Sequence, residues 1–233
     1  MNEPQKDMMF RQVNGWIRDA VSALRDGKLD TAKELFLQVI EAAPSFADAH
    51  YNLGVIADLQ KKPEVAIPFY AETLKYNPNH AECLTNMGAA HSNAGRFAIA
   101  IPFLNRAIQS NPRLLQPRLN LGITCRHLEQ PAQALEALKG ALELEPDNAY
   151  VLYLSGCAAH ECGSHTEAER FLKAALAVKP GYTDPLILLV DVLIELEDPQ
   201  QGIDILENFV RDNPKNETAR ECLLRIRSSH ATG

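Results

Sequence analysis

The sequence predicts an all-α solenoid built from helix-turn-helix repeats, because several residue types recur with one fixed period. Proline recurs every 34 residues, at Pro44, Pro78, Pro112, Pro146, Pro180 and Pro214. In most units a glycine lies 24 residues before this proline, a small residue lies 12 before it, and an aromatic residue or leucine lies 8 before it. A constant period of this size is typical of repeat arrays, in which each repeat is one supersecondary unit.

Alignment on the recurring proline divides the chain into six units. Their bounds are 13–46, 47–80, 81–114, 115–148, 149–182 and 183–216. Residues 1–12 form an N-terminal extension, and 217–233 are predicted to form a capping helix and tail. In this tail Ala219, Cys222, Leu223 and Ile226 share one apolar stripe, which is what a helix that covers the last repeat requires.

Each unit is predicted to contain two amphipathic helices and no strand. Apolar residues recur at spacings of three and four, as in Leu53, Ile56 and Ala57. A breaker separates the two helices. It is Gly27, Gly95 or Gly163 in odd units and Pro63, Pro131 or Pro199 in even units. Glycine suits a left-handed helix end and proline a first helical position. The alternation indicates a super-period of 68 residues, as if a two-repeat block had been duplicated.

Small residues in both helices of a unit are expected to let those helices approach closely. Gly88 and Gly122 are expected to face the second helices of their own units across Ala100 and Ala134. A larger side chain at these places would then force the helices apart.

These residues resemble the tetratricopeptide family, whose pattern W-x2-L-G-x2-Y, A-x3-F, P is matched in part by every unit. Trp16 opens the first unit, Leu53-Gly54 gives the L-G pair, and Ala32 with Phe36 gives A-x3-F. The resemblance implies a right-handed superhelix that binds a protein or peptide in a concave groove. The terminal units depart from the pattern, with Ala20 and Val190 in the glycine place and Gly202 in the alanine place, as terminal repeats often do.

Composition and charge exclude several classes of partner. The net charge is −7 and the isoelectric point is near 5.5, so no basic field favours nucleic acid. Neither a signal peptide nor a membrane segment is predicted, and we therefore expect no membrane insertion and a cytoplasmic location. The five cysteines are an odd number scattered over helices and are expected to be reduced thiols.

No catalytic, phosphate-binding or zinc motif stands in the sequence, which favours a binding surface over an enzyme and predicts no cofactor. Cys157, His160, Cys162 and His165 have the residue types of metal ligands. Their spacing matches no zinc motif, and buried cysteine usually acts as a small apolar filler, so no metal site is predicted.

Helical geometry places a row of amides on the face opposite the buried stripe of the first helices. Asn52, Asn86 and Asn120 occupy the same place in three successive units, with Tyr51 beside the first. A primary amide offers one acceptor and two donors, which match a peptide unit. The row resembles the asparagine ladder of tetratricopeptide superhelices such as that of the O-linked N-acetylglucosamine transferase. The alternative is that asparagine is simply frequent at this place in the family.

A second candidate surface lies at the junction of the fourth and fifth units. It comprises Arg126, His127, Tyr150, Tyr153 and His160. Tyrosine and arginine are common interface anchors, and the cluster would suit an aromatic or acidic side chain of a peptide. The alternative is an inner wall of ordinary solvated helix residues.

Three other functions are alternatives to a groove that binds an extended peptide or a helix. A self-assembling scaffold, resembling the repeat proteins that coat bacterial organelles such as magnetosomes, is suggested by Met8-Met9-Phe10, an apolar segment that could form homo-oligomers. Capture of a chaperone tail is disfavoured, because the places where that class has lysine and arginine hold Ile17 and Val21, then Glu82 and Asn86, although its asparagine places are filled. An enzyme that uses the His160 region is the least favoured.

Overall fold

The computed structural model describes residues 3–230, and every regular element in that range is an α-helix. The helices are α1 (Glu3–Arg25), α2 (Leu29–Ala42), α3 (Ala47–Leu59), α4 (Pro63–Tyr76), α5 (Ala81–Asn93), α6 (Phe97–Ser110), α7 (Leu115–His127), α8 (Pro131–Leu142), α9 (Ala149–Glu161), α10 (His165–Val178), α11 (Thr183–Glu195), α12 (Pro199–Asp212) and α13 (Glu217–His230). Within these residues no helix combines the length and the apolar character needed to cross a membrane.

The helices group into two compact units, one ending at Asn120 and one beginning at Leu121, so that the boundary falls within α7. In the first unit α1 packs on α2, α3 on α4 and α5 on α6, and each pair packs on the next. In the second unit each helix from α8 to α12 packs on its successor. Both units are therefore stacks of helix-turn-helix repeats, and the predicted all-α repeat fold is confirmed.

The two ends of the chain extend the repeat pattern. Helix α1 begins at Glu3, so the extension that precedes residue 13 continues directly into the first repeat helix. At the other end, α13 buries Ala219, Cys222, Leu223 and Ile226 against Leu206 and Phe209 of α12 and against residues of α11. The apolar stripe expected to cover the last repeat does so.

Every turn between the two helices of a repeat contains one residue in the left-handed region. These residues are Gly27, Lys61, Gly95, Glu129, Gly163 and Glu197, each 34 after the last, with φ between 55° and 76°. In the even turns the left-handed residue is followed two positions later by a proline that begins the next helix. The turns with glycine and the turns with proline therefore share the same left-handed conformation, although their sequences differ.

The glycines of the first helices receive a large side chain from the second helix of the same repeat. A Cβ atom built on Gly88 would lie 2.6 Å from Cγ of Leu104 and 3.4 Å from the Ala100 carbonyl oxygen. A Cβ atom on Gly122 would lie 2.5 Å from Cγ of Leu138. Gly88 thus faces the second helix next to Ala100, as expected, and the side chain that fills the space is the leucine one turn later, which the sequence analysis did not single out. Glycine is needed because leucine already occupies the volume of a methyl group there.

In the sixth repeat the small and large residues exchange places. Val190 stands where the other repeats have glycine, and Gly202 stands where they have alanine. A Cβ atom on Gly202 would lie 3.3 Å from Cγ1 of Val190, so the missing methyl group makes room for the added isopropyl group. This exchange keeps the two helices close, and Val190 and Leu206 remain fully buried.

Candidate functional site

The first helices of the N-terminal unit present the predicted polar face. On α3, Leu53, Gly54 and Ala57 are buried, whereas Asn52 is half-buried and Asp48 is exposed. Helices α3 and α5 contact each other, so their polar faces lie side by side. Asn52 and Asn86 occupy equivalent places on these two helices, and both are half-buried.

The amide groups of this row are partly engaged by the protein itself. The Asn52 Nδ2 donates to the Asp48 carbonyl oxygen at 2.7 Å. The Asn86 Nδ2 lies within donating distance of two tyrosine hydroxyls, 3.4 Å from that of Tyr51 and 3.5 Å from that of Tyr70. Asn120, on α7, accepts a hydrogen bond of 2.9 Å from Gln116 through its Oδ1. The NH2 groups of Asn52 and Asn86 are therefore used internally, which leaves their carbonyl oxygens as the groups that a ligand would meet.

Tyr51 and Asn86 belong to a polar network that reaches into the core. Tyr70 is fully buried, and its hydroxyl donates to the carboxylate of Asp58 on α3. Burial raises the pKa of the Tyr70 hydroxyl, and Asp58 raises it further, so the phenol stays protonated. Burial also raises the pKa of Asp58, while the hydrogen bond from Tyr70 opposes this shift. The network fixes Tyr51 and Asn86 on the surface by tying them to a buried side chain.

His80 supports the other side of Tyr51, a role that the sequence did not suggest. It precedes α5, and its Nδ1 accepts a hydrogen bond of 3.3 Å from the Cys83 backbone N–H. Its ring centroid lies 4.6 Å from that of Tyr51. The sequence could have indicated this role only through the position of His80 as the N-cap residue before Ala81, and histidine is not one of the preferred capping residues.

A polar cavity of about 330 Å³ opens beside His80. Its lining includes the carboxylates of Asp48 and Glu82 and the side chains of Asn77, Asn79 and Asn111. Asp48 and Glu82 are both exposed. The lining contains neither lysine nor arginine, and its one basic residue is His80, whose ring nitrogens lie 3.9 Å from Oδ1 of Asp48 and 3.3 Å from Oε2 of Glu82. A cationic or hydrogen-bond-donating group of a ligand would therefore share these two carboxylates with His80.

In the C-terminal unit, the guanidinium of Arg126 is paired with a carboxylate. Its Nε lies 3.0 Å and 3.1 Å from the two Glu161 carboxylate oxygens, and Nη2 contacts one of them as well. This hydrogen bonding raises the pKa of Arg126. Because its charge is already compensated, Arg126 is a poor anchor for an acidic peptide side chain, in contrast to the expectation from sequence.

The aromatic cluster of the C-terminal unit consists of Tyr150, Tyr153 and Tyr182. Tyr150 is 47% exposed, and the Tyr153 ring centroid lies 5.5 Å from that of Tyr182. Burial raises the pKa of the Tyr153 hydroxyl, with Cys157 as the next cause. Cys157 itself is buried, and His127 is exposed at the end of α7. Tyr182 was not among the predicted residues, because it precedes its helix and carries no helical spacing signal.

His160 interacts with residues outside the aromatic cluster. Its Nε2 lies 3.4 Å from Oε2 of Glu195, and its ring centroid lies 5.5 Å from that of His165. Of the five residues predicted as one pocket, His160 therefore contacts Glu195, which the sequence did not associate with it, and His165, which the sequence grouped with it only as a residue of metal-ligand type.

Comparison with solved structures shows the same fold in several proteins. PilF of Pseudomonas aeruginosa is 21% identical, with a TM-score of 0.73 over 95% of this chain and 99% of its own. The MamA protein is 21% identical, with a TM-score of 0.67 over 72% of this chain and 92% of its own. YrrB, described as a TPR protein with an unusual peptide-binding site, is 19% identical, with a TM-score of 0.66 over 73% of this chain and 88% of its own. At these identities the likeness concerns the fold alone.

Sequence comparison gives the family. No curated protein matches the chain in sequence. One model described as a tetratricopeptide repeat matches residues 18–81 and 119–183, and two further models with that description match 81–114 and 159–221. Since the first model alone matches more than half of the residues, the chain belongs to the tetratricopeptide repeat family.

Proposed function

We propose that this chain is a protein-interaction adaptor that binds an extended peptide of a partner protein along the polar face of α3 and α5. One observation carries the proposal. Asn52 and Asn86 stand at equivalent places on two adjacent helices, each with its NH2 group engaged by the protein and its carbonyl oxygen left to accept. Side chains held in this way lose little further entropy when a ligand binds.

The spacing of the two helices fits an extended peptide. Packed helices lie about 8–10 Å apart, and an extended chain advances about 3.3 Å per residue, so the two oxygens would meet N–H groups about three residues apart. Such hydrogen bonds contribute about 0.5–1.5 kcal/mol each, so they set the register of the peptide and do not by themselves give high affinity.

The cavity beside His80 supplies a preference for one kind of side chain. The exposed carboxylates of Asp48 and Glu82 line it beside the His80 imidazole, and Asp48 lies on α3, one turn before Asn52. A lysine or arginine of the peptide would place its cationic end between these carboxylates. The proposed partner therefore carries a basic residue next to the backbone segment that the asparagines bind. The exposed ring of Tyr150 offers a second, apolar contact to a longer partner.

The first experiment uses the triple variant Asn52→Ala, Asn86→Ala and Asn120→Ala. Peptides selected from a random library on the wild-type chain are expected to be rich in Lys and Arg, and the triple variant should bind them at least tenfold more weakly. Fluorescence anisotropy with the selected peptide measures the change. The matched control is Asn105→Ala on α6, an exposed asparagine outside the proposed face, which should leave the affinity unchanged.

Stability measurements separate a binding role from a structural one. Asn52→Ala and Asn120→Ala should each change the free energy of unfolding by less than about 0.5 kcal/mol, as substitutions at the surface usually do. Asn86→Ala should cost about 1 kcal/mol, because it removes the donor to Tyr51 and Tyr70. Equal peptide affinity of the triple variant and the wild type would show that the partner docks elsewhere.

Self-assembly is the second candidate, and one observation favours it. Met8 and Phe10 are 68% and 69% exposed on α1, although both are large and apolar. Large exposed apolar side chains can mark an interaction surface. The segment lies within a helix, so it would dock as part of that helix and not as a flexible plug, with Met8 and Phe10, two residues apart, on different sides of it.

Light scattering tests this candidate directly. If Met8 and Phe10 contact a second copy, the average mass of the wild-type chain should rise with concentration, because a head-to-tail contact can repeat without closing. The variant Met8→Glu with Phe10→Glu should stay monomeric, as should a chain that begins at Gln12. A monomeric wild-type chain at high concentration would exclude assembly through this segment.

A further inference from the structure

Three metal-ligating side chains meet where α9 ends, α10 begins and α11 ends. His160 lies in the last turn of α9, His165 is the first residue of α10, and Glu195 is the last residue of α11. The Glu195 Oε2 atom lies 3.4 Å from Nε2 of His160 and 2.9 Å from Nδ1 of His165. All three ligand atoms lie within 4.8 Å of one another; the two histidines are partly buried and Glu195 is exposed.

We propose that His160, His165 and Glu195 form a binding site for a divalent transition-metal ion, with zinc as the best fit. Zinc is held about 2.1 Å from nitrogen and oxygen ligands, and in a tetrahedral arrangement such ligands lie about 3.4 Å from one another. The distance from His160 to Glu195 already equals this value, and that from His165 to Glu195 is slightly shorter. The ligand atoms of the remaining pair, His160 and His165, lie within 4.8 Å of each other and would have to move closer when zinc binds.

The hydrogen bonding of His165 supports a metal in preference to a simple ion pair. Its buried Nδ1 makes no hydrogen bond of acceptable direction within the described residues, although the carboxylate oxygen of Glu195 is 2.9 Å away. The Nδ1 of His165 is therefore close to the carboxylate without being committed to it as a hydrogen-bond donor, and it remains available as a metal ligand.

The electrostatic surroundings also favour a cation. His160 and Glu195 both lie in last helical turns, where the helix dipole is negative and stabilises positive charge. Asp191, one turn before Glu195 on α11, interacts electrostatically with both His160 and Glu195. Two features oppose a cation: the Arg225 Nη2 lies 3.7 Å from the Asp191 carboxylate, and His165 begins α10, where the helix dipole is positive. Against these, Glu195 contacts both imidazoles, and Asp191 adds negative charge near His160.

The ligand set has the composition of a zinc site with one open position. Two histidines and one glutamate leave the fourth tetrahedral place to water or to a group of another molecule. The cysteines that sequence alone would associate with these histidines are not part of this set. Cys157 is buried, and among the described residues the group of ligand atoms in mutual reach is that of His160, His165 and Glu195. Bound zinc would connect α9, α10 and α11 and stabilise the folded unit.

Isothermal titration of the full chain with Zn²⁺ under reducing conditions tests the proposal. One equivalent of zinc should bind, and His160→Ala, His165→Ala and Glu195→Gln should each weaken binding at least tenfold. Two controls should keep the wild-type affinity. His80→Ala removes another histidine that lies close to carboxylates, and Cys162→Ser removes an exposed thiol. Glu195→Gln preserves shape, so its effect would reflect the lost charge.

Two further measurements exclude indirect effects. Cobalt bound to the wild-type chain should give the visible absorption of a tetrahedral site, and the three ligand variants should lose it. Zinc should raise the melting temperature of the wild-type chain and not that of the ligand variants, whose circular dichroism without metal should match the wild type. Absence of zinc binding by the wild type, or equal affinity in His165→Ala, would overturn the proposal. So would loss of binding in Cys162→Ser.

Discussion

Gly122→Leu is expected to lower the free energy of unfolding by about 1–3 kcal/mol, as overpacking of a well-filled core does. Even a Cβ atom at Gly122 would lie 2.5 Å from Cγ and 2.8 Å from Cδ2 of Leu138, and Leu138 is fully buried and cannot turn toward solvent. Ala100→Leu should have a similar effect, because Ala100 has no exposed surface. Chemical denaturation followed by circular dichroism measures both.

Asn93→Leu is the control for these substitutions. Asn93 is exposed at the end of α5, so the same added leucine should change the free energy of unfolding by less than about 0.5 kcal/mol. The order of the three values is the sharper test. If Asn93→Leu were the most damaging, the assignment of buried and open faces on the first helices would be wrong, and the proposed peptide-binding face would lose its basis.

Replacing the three left-handed residues of the even turns by glycine is expected to stabilise the protein. Lys61, Glu129 and Glu197 have φ values of 58°, 55° and 59°. A left-handed conformation costs a residue with a side chain about 1–2 kcal/mol, and glycine avoids this cost. Glycine also has a larger conformational entropy in the unfolded chain, which offsets part of the gain in stability. A net gain of about 0.5–1 kcal/mol per site should sum to about 1.5–3 kcal/mol, because the sites lie far apart.

The opposite substitution and a matched control complete this experiment. Gly95→Ala should destabilise by about 1 kcal/mol, since Gly95 has a φ of 72°. Glu143→Gly should give no gain, because Glu143 has a right-handed φ of −63°. Thermal denaturation compares the variants. A loss of stability in the triple glycine variant would show that Lys61, Glu129 and Glu197 make interactions that outweigh the strain of their backbone.

Features of the fold that recur with the same residue type were predictable from the sequence. A conformation that different residue types adopt at equivalent positions was not. Each recurring proline follows the end of a second helix, because the residue before a proline avoids the helical region. The left-handed turn was visible at Gly27 and its odd-numbered equivalents. At Glu129 it was not, because glutamate carries no preference for positive φ, and only the proline two residues later at Pro131 revealed the turn.

The place of each site residue was predictable, but its partners were not. Helical periodicity located Asn86 on the face opposite the buried stripe. Its donation to Tyr70 depends on how far a core side chain reaches across two helices, which spacing does not encode. Glu195 lies 30 residues after His165, and only the packing of α10 on α11 brings the two together. Contacts between helices are set by side-chain packing in three dimensions, and this is the information that one sequence lacks.

The packing of each helix on the next along the chain has a kinetic consequence. Contacts between neighbouring helices span few residues, so little loop entropy is lost before they form, and topologies of this kind fold quickly. Any two-helix hairpin in the array can act as a nucleus, from which order spreads to its neighbours. The end repeats have a neighbour on one side only. They should be the first to open in native-state hydrogen exchange, and the middle of each unit should exchange last.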